Sequence, residues 1–249
     1  MAYPLRFLPT GHIFISPRDC CDKVVDAMLE MGYGGDFCIA GDFDEGFVCR
    51  LMEAGFLVMS MELKNDNSDG DNERFFILLP KLHLIRSVLF FQELHIKKNI
   101  RPFLGRYELR FDRDFDIILE KCVKIHGADW LTPPLTGMLN SIRKRGGWRV
   151  RPVSFALYRD GELKAGEIGV IAGRVYTSYS GYYEEDNAGT VQMILMAQRL
   201  KETGFDFLDF GMPMDYKSAL GAREINPYQF IELFRAAQKK NGGVKPPLL

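Results

Sequence analysis

Apolar residues along the chain fall into blocks with two different periods, separated by polar or glycine-rich punctuation. From Ser16-Pro17 to about Met31, Val24, Val25, Met28 and Leu29 recur at helical spacing behind a capping serine and a proline suited to a first helical turn. Gly32–Gly35 stops that helix, and Asp42 or Asp44 caps a second one ending near Ala54-Gly55. Lys64–Arg74 is polar with no apolar period and reads as an exposed loop. Phe75–Ile96 has strand character in short pieces broken by Pro80, and Lys97–Arg101 opens a basic helix. Tyr107–Phe111 alternates as a strand. Phe115–His126 and Pro133–Arg145 fit amphipathic helices, the second with proline in its first turn and cations at its C-terminal end.

The second half is more regular. Val153–Tyr158, Leu163–Ala172 and Arg174–Tyr183 are three strand patterns, joined by Asp160-Gly161 and by Gly173. A helix from about Ala188 to Glu202 ends at Thr203-Gly204; a strand, Phe205–Phe210, and a last helix, about Pro227–Lys239, follow it. These patterns predict an α+β protein with a mixed, largely antiparallel sheet. They divide the chain into a smaller N-terminal α+β domain over residues 1–111, a second domain over 112–240 and a flexible tail over 241–249. An antiparallel meander followed by helix, strand and helix resembles the acyltransferase (GNAT-like) fold.

Composition narrows the choice of chemistry. A chain of 249 residues, 47% hydrophobic and 26% charged, can bury a core without staples. Its formal net charge of -1 leaves nucleic-acid contact to local patches. Two are present: Lys97, Lys98 and Arg101, and then Arg143, Lys144, Arg145, Arg149 and Arg151, although a solvated helix face also accounts for such runs. The five cysteines lack a C-x-x-C pair and read as reduced thiols of a cytoplasmic protein. The first residues, MAYPLRFLPTGHIF, hold no long apolar run, so a signal peptide is not expected, and Phe75–Leu79 is too short to span a bilayer. Scattered histidines make a zinc site unexpected, and the phosphate-loop, zinc-protease and nucleophile-elbow motifs are missing. The glycine loop that binds the pyrophosphate of acetyl-CoA is missing as well, which points to a different donor.

The most informative segment is Asp206–Ile225, where a buried strand ends in Asp209 and runs through a Gly/Met/Pro loop into S-x-L-G-A-x-E-I. Other motifs stand in order over about Ile39–Ala236: Leu94-His95-Ile96-Lys97, Trp130-Leu131-Thr132-Pro133, Asp160–Gly166 with Gly169, Asn187-Ala188, and Ser218–Ala222 with Glu224-Ile225. Together they resemble the leucyl/phenylalanyl-tRNA–protein transferases. The resemblance implies transfer of an amino acid from aminoacyl-tRNA to a protein N-terminus, as in the N-end rule of protein degradation. It also implies a cytoplasmic monomer that needs no metal or cofactor and no membrane. Trp130 and Met59 would hold the terminal adenosine, and Tyr176, Tyr179, Met193 and Met196 would line the aminoacyl pocket. Asp209 would orient or deprotonate the attacking amine, Ser218 and Gly221 would shape the turn after it, and Glu167, Asn187, Gly211 and Ser218 would also border the substrate. Simpler roles stand beside these: Trp130 anchoring the helix at Pro133, Asp209 capping a turn, and Asn187 capping the helix that follows it.

Four positions depart from the family's pattern. Met59 stands where the family has a tryptophan, Tyr179 where it has a pocket glutamate, Gly211 where it has a glutamine, and Glu167 where it has an apolar pocket residue. A buried Glu167 would need a partner such as Arg174 or Lys164, or solvent, or a polar or cationic ligand. The departures leave two rivals in place: a repurposed ligand- or peptide-binding member, and an N-acyltransferase with another donor.

Overall fold

The computed structural model describes residues 3–64 and 74–240. In chain order its first elements are β1 (Arg6–Phe7), β2 (Ile13–Phe14), α1 (Cys21–Glu30), α2 (Glu45–Glu53), β3 (Leu57–Lys64) and β4 (Arg74–Lys81). Next come β5 (Arg86–Leu89), a 3-10 turn at Phe91–Glu93, α3 (Arg101–Leu104), β6 (Glu108–Phe111), α4 (Phe115–His126) and α5 (Pro133–Arg145). The rest are β7 (Val150–Arg159), β8 (Glu162–Ala172), β9 (Val175–Tyr183), α6 (Ala188–Glu202), β10 (Phe207–Gly211), α7 (Asp215–Ala219), β11 (Arg223–Ile225) and α8 (Pro227–Lys239). None of the described helices is long and apolar enough to cross a membrane.

The chain forms two compact units. One comprises the chain up to Leu84 together with Gly127–Trp148; the other comprises Ile85–His126 together with the chain from Arg149 onward. The division at Asp112 read from the sequence therefore falls inside the second unit. The cause is long-range pairing: β5 and β6 join the strands after Arg149 in one sheet.

In the first unit β1 pairs with β2, and β3 pairs with β4 in a continuous antiparallel register from Leu57↔Lys81 to Lys64↔Arg74. Pro80 does not break its strand. It sits in β4 opposite Val58, and its carbonyl accepts the Cys38 N–H. Helix α1 starts at Cys21, later than Ser16-Pro17 suggests, because the Asp19 carboxylate takes up both the Ser16 amide and the Ser16 hydroxyl and closes a separate turn. Asp44 caps α2 by accepting from Phe47 N. The polar loop after Lys64 and the tail after Lys240 lie outside the described residues.

The second unit is built on a seven-stranded sheet in the order β11-β5-β10-β9-β8-β7-β6. Every neighbouring pair is antiparallel except β9 with β10, which are parallel and joined through α6. The expected meander, helix and parallel strand are thus present, and the class is α+β with a mixed sheet. Helices α4 and α6 cover opposite faces. A side chain at Gly166 would strike Ile118 of α4, whereas Ala165, Phe155 and Leu157 pack in one apolar cluster with Val191, Ile194 and Met196 of α6. The basic helix expected from Lys97 begins only at Arg101 and lasts four residues. Strands β1, β2, β3 and β11 and helix α7 are not predicted by the apolar pattern, which in stretches of two to eight residues carries too little period.

Candidate functional site

In the second unit, Asp209 lies where β10 leaves its regular ladder. Its pairing with β5 shifts between Asp209↔Val88 and Gly211↔Ser87, so Phe210 is an extra residue in the strand. Asp209 is fully buried and forms a two-pronged ion pair with Arg86, itself 1% exposed: Arg86 Nε donates to Oδ1 at 2.8 Å and Nη2 to Oδ2 at 2.6 Å. Gly211 N donates to Oδ1 at 2.9 Å and Thr177 Oγ1 to Oδ2 at 2.9 Å. Four donors therefore occupy the two carboxylate oxygens, and the Arg86 guanidinium also lies 4.1 Å from the Phe230 ring centre. The expectation that Asp209 meets a reacting amine does not fit this geometry. What the carboxylate fixes is the turn at Gly211, whose φ of +68° is left-handed backbone that glycine adopts readily. Arg86 and Thr177 are missed by sequence reasoning because nothing local in the chain pairs them with Asp209.

Behind that turn, α7 carries a buried Lys217 whose Nζ donates to the carbonyls of Phe210 (2.8 Å) and Met212 (2.7 Å). Burial pushes its pKa down, with Glu167 and Asp209 opposing the shift. This lysine is also missed by the sequence reading, where it hides within the polar segment after Met214. Ser218 is exposed on α7, and its carbonyl accepts the Gly221 amide. Gly221 has φ +98°, and any Cβ there would collide with the Glu93 carbonyl; alongside, His95 N donates to Leu220 O at 2.8 Å. The Leu94–Lys97 and Ser218–Ala222 motifs, distant in sequence, are thereby brought together.

Glu167 projects from β8 and is 5% exposed. Neither suggested partner reaches it: Arg174 pairs with Asp206 and Lys164 with Glu162. Burial raises its pKa to about 7, against the opposing pull of the Ser178 and Tyr176 hydroxyls and of Lys217. Glu167 Oε1 and the Tyr176 hydroxyl are both buried without a hydrogen-bond partner. Burial, reinforced by Glu167, also holds the Tyr176 phenol well above its ordinary range. Gly169 makes room for that ring, since a side chain there would strike it. Tyr179 is the extra residue of a second irregularity, where Ile168 pairs with Ser180 and Gly169 with Ser178. On α6, Met196 is buried in the apolar core while Met193 is only partly buried against it. Asn187 does not cap α6 with its side chain, contrary to expectation; its backbone is left-handed at φ 68°, a conformation asparagine tolerates better than most residues.

The first unit holds the two candidates for a nucleobase. Ser60 of β3 donates its amide (3.0 Å) and its hydroxyl (3.3 Å) to the Trp130 carbonyl, and its hydroxyl also meets Thr132 Oγ1 at 2.7 Å. This strap ties the Trp130 backbone to β3 one residue from Met59, and the side chains of Trp130 and Met59 are both half-buried. Of the basic residues, Lys97, Lys98, Arg101, Lys144 and Arg149 are exposed, whereas Arg145 pairs with Glu45 and Arg151 with Asp112. Among the described residues no group of His, Cys, Asp and Glu is placed to hold a metal ion.

Comparison with known proteins gives a consistent picture. The family model for leucyl/phenylalanyl-tRNA protein transferase matches residues 88–235. The chain is 33% identical over 152 residues to the leucyl/phenylalanyl-tRNA–protein transferase of Pseudomonas entomophila (strain L48), covering 59% of this chain and 66% of that protein, just under two thirds of its length. It is 30% identical to the enzyme of that description from Azotobacter vinelandii, with the same coverage. Among solved structures it is similar to FemX at 10% identity and a TM-score of 0.46, over 89% of this chain and 81% of that one, a likeness too distant to bear on fold or function.

Proposed function

Since the chain belongs to the leucyl/phenylalanyl-tRNA–protein transferase family, we propose that it moves an amino acid from a charged tRNA to the N-terminus of a protein or peptide. The observation that carries this reading is the extent of the family match. It runs through Trp130, Glu167, Tyr176, Asn187, Asp209 and Ser218, and so through every candidate site residue except Met59. A repurposed binding protein is not favoured on the same ground.

In the reaction the acceptor's free α-amine attacks the ester carbonyl of the aminoacyl-tRNA. A C–N bond forms, the C–O bond to the terminal ribose breaks, and the amine proton ends on the ribose oxygen. An aminoacyl ester is already activated, so holding amine and ester together supplies much of the acceleration. Trp130 stacks on the terminal adenine with Met59 against its edge, while Lys97, Lys98 and Arg101 meet acceptor-stem phosphates. Tyr176, Tyr179 and Met193 border the aminoacyl group. Asp209 is a positioning residue: through Gly211 it fixes the turn along which the acceptor amine approaches. The protein acts as a monomer in the cytoplasm, where charged tRNA is found.

The test is transfer of radiolabelled amino acids from total charged tRNA to peptides beginning with Arg, Lys, Asp or Glu, with and without ribonuclease pretreatment. Incorporation abolished by ribonuclease supports the reading. Its absence with every amino acid, in folded protein, rules the reading out.

A further inference from the structure

Four observations bear on what the pocket at Glu167 accepts. Its carboxyl is almost fully buried, and Oε1 has no hydrogen-bond partner. The hydroxyl of Tyr176, completely buried, has no well-formed hydrogen bond either, and its neighbour is Glu167 itself, close enough for each to perturb the other's proton affinity. The opposite residue on β9 is Gly181, where an added Cβ would lie 3.6 Å from Cβ and Cγ of Glu167, so no side chain covers the carboxylate's stem from that strand. Gly181, Ser178 and Tyr179 retain partial exposure, which gives the site a solvent-facing side.

Unpaired polar atoms inside a protein are costly and seldom persist without a function. Within the chain the Glu167 carboxyl is approached only by the Ser178 and Tyr176 hydroxyls, and among the described residues no ion pair is formed with it. The charged and titratable groups around Glu167 are Tyr176 on β9, Lys217 and Tyr216 on α7, and Cys122 on α4. The one cation among them, Lys217, turns its ammonium to the Phe210 and Met212 carbonyls and forms no ion pair with Glu167. A ligand that brings N–H donors and positive charge would complete the carboxylate where two hydroxyls alone do not. An apolar side chain would leave Oε1 unsatisfied, and an anionic one would add repulsion.

We propose that Glu167 and Tyr176 form the selective end of the aminoacyl pocket and take a donor side chain ending in a cationic nitrogen, lysyl or arginyl, in preference to leucyl or phenylalanyl. This rests on the transferase reading above and names its substrate class. Sites built to hydrogen-bond a substrate group reject analogues lacking it far more strongly than apolar pockets reject a change of size.

The experiment compares transfer from purified lysyl-, arginyl-, leucyl- and phenylalanyl-tRNA to one peptide, for wild type, Glu167→Gln and Glu167→Met. Calorimetric binding of 3′-lysylamino- and 3′-leucylamino-3′-deoxyadenosine is measured in parallel. The expected wild-type result is kcat/KM about a hundredfold higher for lysyl or arginyl donors than for leucyl or phenylalanyl. Glu167→Gln should lower the cationic donors alone, and Glu167→Met should erase or invert the preference. A wild-type preference for leucyl or phenylalanyl, or a ratio unmoved by Glu167→Met, overturns this inference and leaves the transferase reading standing. Transfer from none of the four rejects them as donors, and the binding arm then decides the pocket on its own: tighter lysyl analogue supports it, tighter leucyl analogue overturns it. Thermal unfolding of both variants confirms that each is folded.

Discussion

Arg86 and Asp209, 123 positions apart, form a two-pronged ion pair in which neither side chain is more than 1% exposed. It joins β5 to β10 at the irregularity in β10. Removing one member leaves the other charge buried without its partner. Either Arg86→Met or Asp209→Leu should therefore cost about 3–5 kcal/mol, whereas the double substitution should cost clearly less than the sum. Urea unfolding of the four proteins in the cycle measures this. Additive losses would mean that the two residues act separately.

Gly221 should tolerate no side chain. Its φ of +98° disfavours any L-residue, and a Cβ would collide with the Glu93 carbonyl. Gly221→Ala is expected to destabilise by more than about 1 kcal/mol, seen as a lower urea midpoint. Gly137 lies within α5, where an added Cβ meets open space, so Gly137→Ala should instead stabilise by up to about 1 kcal/mol.

These two contrasts show what the chain discloses and what it withholds. Helices α4 and α5 and the three long strands are legible because each carries its apolar period over nine or more residues. Asp209 is legible as a strand-end acid, but its use is not. Arg86, which saturates it, comes from a strand of four residues whose place in the sheet is fixed by non-local pairing. Glu167 is visible as an anomaly in an apolar strand. Only the geometry reveals that Arg174 and Lys164 are engaged elsewhere and that the Tyr176 hydroxyl lacks a partner. Lys217 gives no sign in sequence, since a lysine in a polar segment normally stays in water.

The thiols offer a quick check on packing. Cys20 is exposed, whereas burial pushes Cys21, Cys38, Cys49 and Cys122 up to about 12. Because the thiolate is the reactive form, native protein should react with a disulfide reagent rapidly at Cys20 alone. All five should react in denaturant. Fast native labelling of any buried cysteine, located by peptide mapping, would contradict the packing of its helix or strand.

Trp130→Ala should weaken use of charged tRNA by roughly 1–3 kcal/mol, the range for losing one base–aromatic stack. If the stack is equally strong in the ground and transition states, KM for the tRNA rises and kcat is nearly unchanged. Trp130→Phe should recover part of the loss, and Met59→Trp should tighten binding by adding a second flat ring. A fall in kcat with unchanged KM for Trp130→Ala would instead assign the tryptophan to the reacting centre.

Glu167 makes a signed prediction about stability and pH. Its carboxyl titrates near 4.5 when exposed, and burial raises it to about 7 in the fold. Between these values the folded protein holds a proton that the unfolded chain has released. Stability from this group is thus fully present below pH 4.5 and is lost as pH rises through 7, by up to about 3 kcal/mol. Glu167→Gln cannot lose a proton, so wild type should fall relative to the variant between pH 5 and pH 8, tracked by urea unfolding at each pH. Lys217, lowered by its own burial, is present in both proteins and largely cancels in the difference. A saturating cationic ligand should reverse the trend, because it favours the ionised carboxylate that the empty pocket penalises. A difference between the two proteins that stays flat from pH 5 to pH 8 would mean that Glu167 ionises at its ordinary value, as only a hydrated or paired carboxylate does.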